Sequence, residues 1–112
     1  MAGADLWTFN LARPELNLAN VDLSGFKVEA RDGDIGKVHE AGGSFIVVDT
    51  GPWIFGKKVM LPAGVIRDVD LDTESVVVDR TKVEIKHAPE FDEDRYRDES
   101  YRSELGDYYG GL

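Results

Sequence analysis

The feature that most limits the fold of this chain is a series of short apolar segments, separated by turn residues, between residues 26 and 78. In the first segment, Phe26, Val28 and Ala30 alternate with charged residues, which is the period of a strand with one buried face. The segments are too short and too closely spaced for ordinary helices. We therefore predict an all-β fold, a small β-barrel of about six short antiparallel strands.

Local sequence patterns predict the positions of turns, of one buried strand and of one β-bulge in this sheet. Asp32-Gly33 is a typical hairpin turn, and Phe45 to Val48 is continuously apolar, which predicts a strand that is covered on both faces. Arg67 fits neither face of the segment around it, so we expect a β-bulge at this residue. A further turn at residues 72–74 precedes the last strand, at residues 76–78.

The segment after the sheet has the features of a short helix. Thr81 and Glu84 have the spacing of a capping box, which predicts a helical turn that stops before Pro89. The alternative is one more strand, because Val83 and Ile85 also alternate with polar residues. We favour the helical turn.

The C-terminal part carries a weaker signal. Tyr101 and Leu105 lie one helical step apart, which indicates either a weak helix or a frayed tail. Glycines that would end such a helix follow it, at Gly106, Gly110 and Gly111. We divide the chain into an N-terminal arm (residues 1–22), a barrel domain (23–89) and an acidic, tyrosine-containing tail (90–112).

Composition narrows the classes of function. The chain has 112 residues, no cysteine and a formal charge of −9. Disulfides and thiolate metal sites are excluded, and the acidic balance argues against direct binding of nucleic acid, which depends on Lys and Arg. The sequence shows no signal peptide and no apolar run long enough to span a membrane, so we expect a cytoplasmic protein.

Gly51 to Lys57 has the G-x-x-x-x-G-K spacing of a phosphate-binding loop. Three features contradict that interpretation. Lys58 stands where a hydroxyl should hold the metal, Pro52 has no amide hydrogen, and Val59 to Pro62 is typical of a strand and not of a helix. We therefore interpret the segment as a turn between two strands.

The sequence motifs for metal binding and for nucleophilic catalysis are also incomplete. Residues 68–79 partly match a calcium loop, but Thr73 replaces the required glycine and Asp79 the usual glutamate. His39 and His87 have no metal-binding spacing, and we expect His87 to be exposed at a helix end. No serine lies in a nucleophile motif, so we expect no catalytic residue, no metal, no cofactor and no enzymatic activity.

An ordered set of strand and turn residues runs from about Leu23 to Pro89. It contains D-G-D-I-G-K-V at residues 32–38, an apolar strand that ends V-V-D at 47–49, and K-V-M-L-P at 58–62. This set resembles the PRC-barrel family, which includes the cytoplasmic domain of the photosynthetic reaction-centre H subunit and the C-terminal domain of ribosome maturation factors. The resemblance implies a small barrel like that of free-standing bacterial members. It implies no specific role, because sites and partners vary among proteins of one fold.

The best candidates for a partner-binding surface are aromatic and basic residues. Trp53 and Phe55 share one face of their segment beside Lys57 and Lys58, and aromatic rings next to cations are typical interface anchors. The alternative is that both rings pack into the barrel. Further aromatic residues could cover the same surface, in the chain itself or in a partner subunit: Trp7, Phe9, Tyr108 and Tyr109.

These features favour a non-enzymatic adaptor or assembly protein that works through protein–protein contacts and forms a homodimer. One alternative is an assembly factor for ribosomes or other ribonucleoproteins that docks on a basic protein, with a strong dependence on salt. Another is a sensor of a small ligand or metal ion that uses the acidic face.

Overall fold

The computed structural model describes residues 6–7, 21–51, 57–92, 94–95 and 98–111. Within these residues, strands dominate the first part of the chain and two α-helices follow, so the prediction of a small, mostly β domain is confirmed. The elements are β1 (Lys27–Ala30), β2 (Gly33–Ala41), β3 (Phe45–Asp49), β4 (Lys58–Pro62), a 3-10 helix (Ala63–Val65), β5 (Ile66–Asp70), β6 (Ser75–Val78), α1 (Lys82–Lys86) and α2 (Glu99–Gly110).

The six strands form one mixed sheet in the order β4-β3-β2-β1-β6-β5. Four of the neighbouring pairs are antiparallel, but β1 and β6 are parallel. The prediction of an entirely antiparallel sheet is therefore wrong for this pair. The reason is the route of the chain. After β4 the chain forms β5 at the opposite edge of the sheet, and β6 then fills the position between β5 and β1. In that position β6 runs antiparallel to β5 and parallel to β1.

The connection between β4 and β5 shows that the sheet coils strongly. These two edge strands are separated only by the 3-10 helix of three residues. Four residue steps span about 14 Å at most, whereas the edges of a flat sheet of six strands lie about 24 Å apart. The sheet must therefore coil until the end of β4 approaches the start of β5. No ladder joins β4 to β5 in the described part of the chain, so the sheet is open there.

The β1–β2 hairpin explains why two glycines lie three residues apart. Ala30 pairs with Gly33, so the turn occupies the two residues between them, one position earlier than predicted. A bulge follows at Ile35, whose side chain is buried. Gly36 adopts φ +144°, and a Cβ there would lie 2.0 Å from the carbonyl oxygen of Asp49 on β3. Only glycine allows this approach of the two strands.

The bulge predicted at Arg67 is confirmed. The ladder between β5 and β6 shifts register between Ile66 and Asp68, which leaves Arg67 as the extra, exposed residue. Because the bulge removes this charged residue from the alternating pattern, Ile66 and Val69 both keep their side chains buried.

A single hydrophobic cluster includes residues from every strand, from the N-terminal Leu6 and from α2. As predicted, Phe45 to Val48 is buried throughout. Helix α2 contributes Tyr101, Leu105 and Tyr109, which lie one helical step apart and are at most 2% exposed. The helix therefore belongs to the same core as the sheet.

The predicted capping box is present at the start of α1. The Thr81 hydroxyl accepts a hydrogen bond from the Glu84 amide at 3.2 Å, and the Glu84 carboxylate accepts one from the Thr81 amide at 2.8 Å. The alternative of a further strand is wrong at this position. The prediction that Gly106 ends a helix is also wrong, because α2 continues through it to Gly110, and Gly111 is the C-cap. Neither helix described here is long and apolar enough to cross a bilayer.

Candidate partner-binding surface

The eight predicted partner-binding residues fall into separate places. Three of them, Trp53, Phe55 and Phe9, lie outside the described residues. The structure places the other five in two regions. Lys57 and Lys58 lie at the hairpin between β3 and β4, whereas Trp7, Tyr108 and Tyr109 lie on or against α2.

Lys57 is exposed just before β4, where its ammonium group forms an ion pair with the carboxylate of Glu90, after α1. Both side chains are more than half exposed, at 53% and 68%. Ion pairs of this kind contribute about 0–1 kcal/mol, so the contact holds the two segments together only weakly. Lys58 is half-buried within β4, opposite Asp49 in the ladder with β3.

Trp7 is half-buried and packs beside a cation of α2. The guanidinium carbon of Arg102 lies 5.4 Å from the centre of the Trp7 ring and 5.0 Å from that of Phe45. Both distances are in the range of cation–π attraction. Arg102 also donates a hydrogen bond to the Ser44 hydroxyl at 3.4 Å. The guanidinium thus connects the N-terminal segment, the start of β3 and α2.

Gly106 makes room for the Trp7 ring. A Cβ at this position would lie 3.3 Å from Trp7 Nε1, so the ring packs closely on the helix. The preceding residue, Leu6, is buried, and its carbonyl oxygen accepts a hydrogen bond from the Gly64 amide at 2.6 Å. Glycine is a poor helix former, but here its missing side chain creates the space that the ring occupies. Gly106 therefore lies inside α2, where the Trp7 ring packs against it, and not at the end of the helix.

These contacts border a groove of about 340 Å³ beside α2, which we call the Trp7 groove. It contains one aromatic ring, one guanidinium and two carboxylates. Sequence reasoning identified Trp7 but missed Arg102, because the two are far apart in the chain and no local pattern connects them. The lining residues are Trp7, Glu99, Arg102, Ser103, Gly106 and Asp107.

The adjacent tyrosines of α2 have different surroundings. The Tyr108 hydroxyl donates a hydrogen bond to the carbonyl oxygen of Glu84 at 2.5 Å, which ties α2 to α1. The Tyr109 side chain is completely buried, and its hydroxyl has no hydrogen-bond partner among the described residues. Burial raises the pKa of Tyr109 above its ordinary value. Tyr109 is therefore a core residue, and only Tyr108 presents part of its ring to the surface.

The segment with phosphate-loop spacing leads into a strand, as predicted. β4 pairs with β3 residue by residue, from Asp49 opposite Lys58 to Phe45 opposite Pro62. A helix, which a phosphate-binding loop would require at this point, does not follow the loop. The middle of the loop, residues 52–56, lies outside the described residues.

The segment that partly matches a calcium loop contains a turn fixed by one of its own side chains. Asp70 Oδ1 accepts hydrogen bonds from the amides of Asp72, at 2.9 Å, and Thr73, at 3.2 Å. Asp79 instead pairs with the Arg31 guanidinium at 2.6 Å. In the described ranges, no group of three or more acidic or histidine side chains could hold a metal ion.

The two histidines occupy exposed positions. His87 is the C-cap of α1, which confirms its predicted place at a helix end. His39 lies in β2, where the ladder with β3 shifts register between Val38 and Glu40. Its side chain points away from the core, because Val38 is the buried neighbour.

Comparison with known proteins does not assign this chain to a family. No protein-family model matches the sequence, and no curated protein is significantly similar to it. Its function must therefore be inferred from its own residues and their geometry.

Proposed function

We propose that this chain is a non-enzymatic, cytoplasmic protein of the PRC-barrel type that acts through protein–protein contacts and forms a homodimer. The observation that carries the proposal is the Trp7 groove, where an aromatic ring and a guanidinium stack beside an open depression. Tryptophan and arginine are the residues most enriched among those that dominate the binding energy of protein interfaces.

The barrel part of the proposal is supported by the coiled sheet and by the hairpin glycines. The two edge strands of the sheet are joined by only three residues, which brings the edges toward each other at that end. Both glycines of the D-G-x-x-G spacing lie in β2, and Gly36 allows the close contact with Asp49 of β3. These are the same residues on which the resemblance to PRC-barrel proteins rests.

Self-association is supported by the charges of the Trp7 groove. Arg102 lies on the same side of α2 as Glu99 and Asp107, so both signs of charge border one depression. If two copies pack these grooves around a two-fold axis perpendicular to α2, the helix runs antiparallel to its copy, and Arg102 of one chain can face Asp107 of the other. The same favourable contact then forms twice.

Sedimentation equilibrium over a wide range of protein concentrations tests this proposal. We expect the natural chain to dimerise, and Asp107→Lys to weaken the dimer by about tenfold or more, because like charges then face each other. The matched control is Asp72→Lys, which makes the same change of charge in the exposed turn between β5 and β6. A strictly monomeric natural chain, or equal weakening by both substitutions, would contradict the proposal.

A further inference from the structure

The hairpin between β1 and β2 contains the only Asp-Gly dipeptide of the sequence, at Asp32 and Gly33. Both residues are exposed. Aspartate isomerises most readily before glycine, because glycine has no side chain that hinders the attack of its own amide nitrogen on the neighbouring carboxyl group. This turn is therefore the position of the chain that is most open to a spontaneous covalent change.

The change takes place in two steps. The amide nitrogen of Gly33 attacks the side-chain carboxyl carbon of Asp32. A C–N bond forms, the C–OH bond breaks, and the amide proton leaves with the hydroxyl group as one water molecule, which gives a cyclic succinimide. Water then opens one of the two carbonyl groups of the ring. One opening restores aspartate, and the other gives isoaspartate, in which the main chain contains one additional methylene group.

In the folded chain, another backbone amide binds the carboxylate that must react. Oδ1 of Asp32 accepts a hydrogen bond from the amide of Lys82 at 2.9 Å, although the two residues lie 50 positions apart in the sequence. Lys82 is the first residue of α1. The position of α1 therefore determines how the side chain of Asp32 is oriented.

The rest of the turn is also held by the segment that leads into α1. The amide of Arg31 donates a hydrogen bond to the carbonyl oxygen of Arg80 at 2.9 Å. A Cβ at Gly33 would lie 3.6 Å from Cδ of Lys82, so the Lys82 side chain covers the glycine whose nitrogen must attack. These contacts restrict the motion of the turn, on which closure of the succinimide ring depends.

We infer that Asp32 is the position at which this protein converts to isoaspartate, and that the amide of Lys82 slows the conversion by about tenfold. The Asp32 side chain has to leave its hydrogen bond before its carboxyl carbon reaches the nitrogen of Gly33. The rate falls by the factor that corresponds to the strength of this bond. The inference goes beyond self-association, because no residue that lines the Trp7 groove takes part.

Conversion at this position disturbs the sheet. The turn has only two residues between Ala30 and Gly33, which face each other in the ladder. An additional methylene group in the main chain changes this register, and it moves the carboxylate away from Lys82. The hydrogen bond from α1 thus protects the part of the hairpin that tolerates a longer main chain least.

Two substitutions of Lys82 separate its amide from its side chain. Proline is favoured at the first position of a helix, so Lys82→Pro removes the amide hydrogen and keeps α1. Lys82→Ala keeps the amide and removes the side chain. The folded full-length chains are incubated at neutral pH and digested, and isoaspartate at residue 32 is quantified by mass spectrometry with electron-transfer fragmentation. We expect conversion about tenfold faster in Lys82→Pro than in Lys82→Ala, and Lys82→Ala within about twofold of the natural chain.

The same incubation in concentrated urea is the control for direct effects of the substitutions. Without the folded contact, all three chains should convert at one rate, faster than the folded natural chain by about tenfold or more. The inference is wrong if folded Lys82→Pro and Lys82→Ala convert equally fast, or if the natural chain converts as fast when folded as in urea. It is also wrong if isoaspartate forms mainly at an aspartate other than Asp32. If Lys82→Pro fails to fold, as judged by its NMR spectrum, the comparison of the natural chain with and without urea decides.

Discussion

The β1–β2 hairpin and helix α2 are fixed by different kinds of contact. The hairpin is defined by residues close together in the chain, with a two-residue turn, a bulge at Ile35 and a glycine at 36. Helix α2 is held by distant groups: the Trp7 ring against Gly106, and the Glu84 carbonyl bound by Tyr108. The comparison shows that the local sequence determines this hairpin, whereas the Trp7 groove depends on how α2 packs against distant parts of the chain.

Breaking the hairpin should have the largest effect on stability. In Gly36→Ala the new Cβ would lie 2.0 Å from the Asp49 carbonyl oxygen, in a backbone conformation at φ +144° that alanine rarely adopts. We expect the free energy of unfolding to fall by more than about 3 kcal/mol, measured by urea denaturation. The matched control is Gly43→Ala, where a Cβ meets nothing within 4 Å and the change should stay within about 1 kcal/mol. Equal effects of the two substitutions would show that β2 does not approach β3 as described.

The corresponding test of α2 removes its most buried apolar side chain. Leu105 is completely buried in the cluster that also contains the strands, so Leu105→Ala should lower the free energy of unfolding by about 2–5 kcal/mol. Ser103→Ala, on the exposed side of the same helix, should change it by less than about 0.5 kcal/mol. If Leu105→Ala were as mild as Ser103→Ala, the helix would not share the core of the sheet.

Neighbouring tyrosines on α2 should respond in opposite directions to loss of the hydroxyl. Tyr108→Phe loses the hydrogen bond to the Glu84 carbonyl and should destabilise the protein by about 1 kcal/mol. Tyr109→Phe removes a buried hydroxyl that has no partner among the described residues, so it should leave stability unchanged or raise it by about 1 kcal/mol. Thermal unfolding of both variants checks the prediction. A large loss in Tyr109→Phe would mean that its hydroxyl is bonded after all.

A smaller effect is expected in alkaline solution. The Tyr101 pKa rises from 10.0 to about 12 on folding, chiefly because of burial, and that of Tyr109 is raised by the same cause. Above pH 10 the unfolded chain loses these protons while the folded chain keeps them, so stability must fall as the pH rises from about 10 to 12. Tyr101→Phe should reduce this slope in a series of melting temperatures. If the slope were unchanged in that variant, groups other than Tyr101 would cause the loss of stability at alkaline pH.

Much of the sheet was predictable because its signals are local. The alternation at Phe26 to Ala30, the bulge at Arg67 and the capping box at Thr81 each depend on a few neighbouring residues, and the structure contains all three. The parallel pairing of β1 with β6 was not predictable in this way, because it depends on the route from one edge of the sheet to the other.

The candidate surfaces were harder to predict for the same reason. Trp7 was identified as an unplaced aromatic residue, but its cation, Arg102, comes from the far end of the chain. Tyr101 was recognised only as part of a weak helical spacing, and nothing local indicated that its hydroxyl would be buried without a partner in the described residues. Gly106 was interpreted as the end of a helix. Its contact with the Trp7 ring could not be predicted, because that ring comes from the other end of the chain.

Native-state hydrogen exchange tests the central claim most directly, namely that α2 is part of the folded core and holds the Trp7 groove in place. We predict that the Leu105 amide in α2 and the Val47 amide in β3 exchange with free energies that agree within about 1 kcal/mol, because both need global unfolding. If the Leu105 amide exchanged through local opening at a much lower free energy while Val47 stayed protected, α2 would be a detachable element and the account would be contradicted.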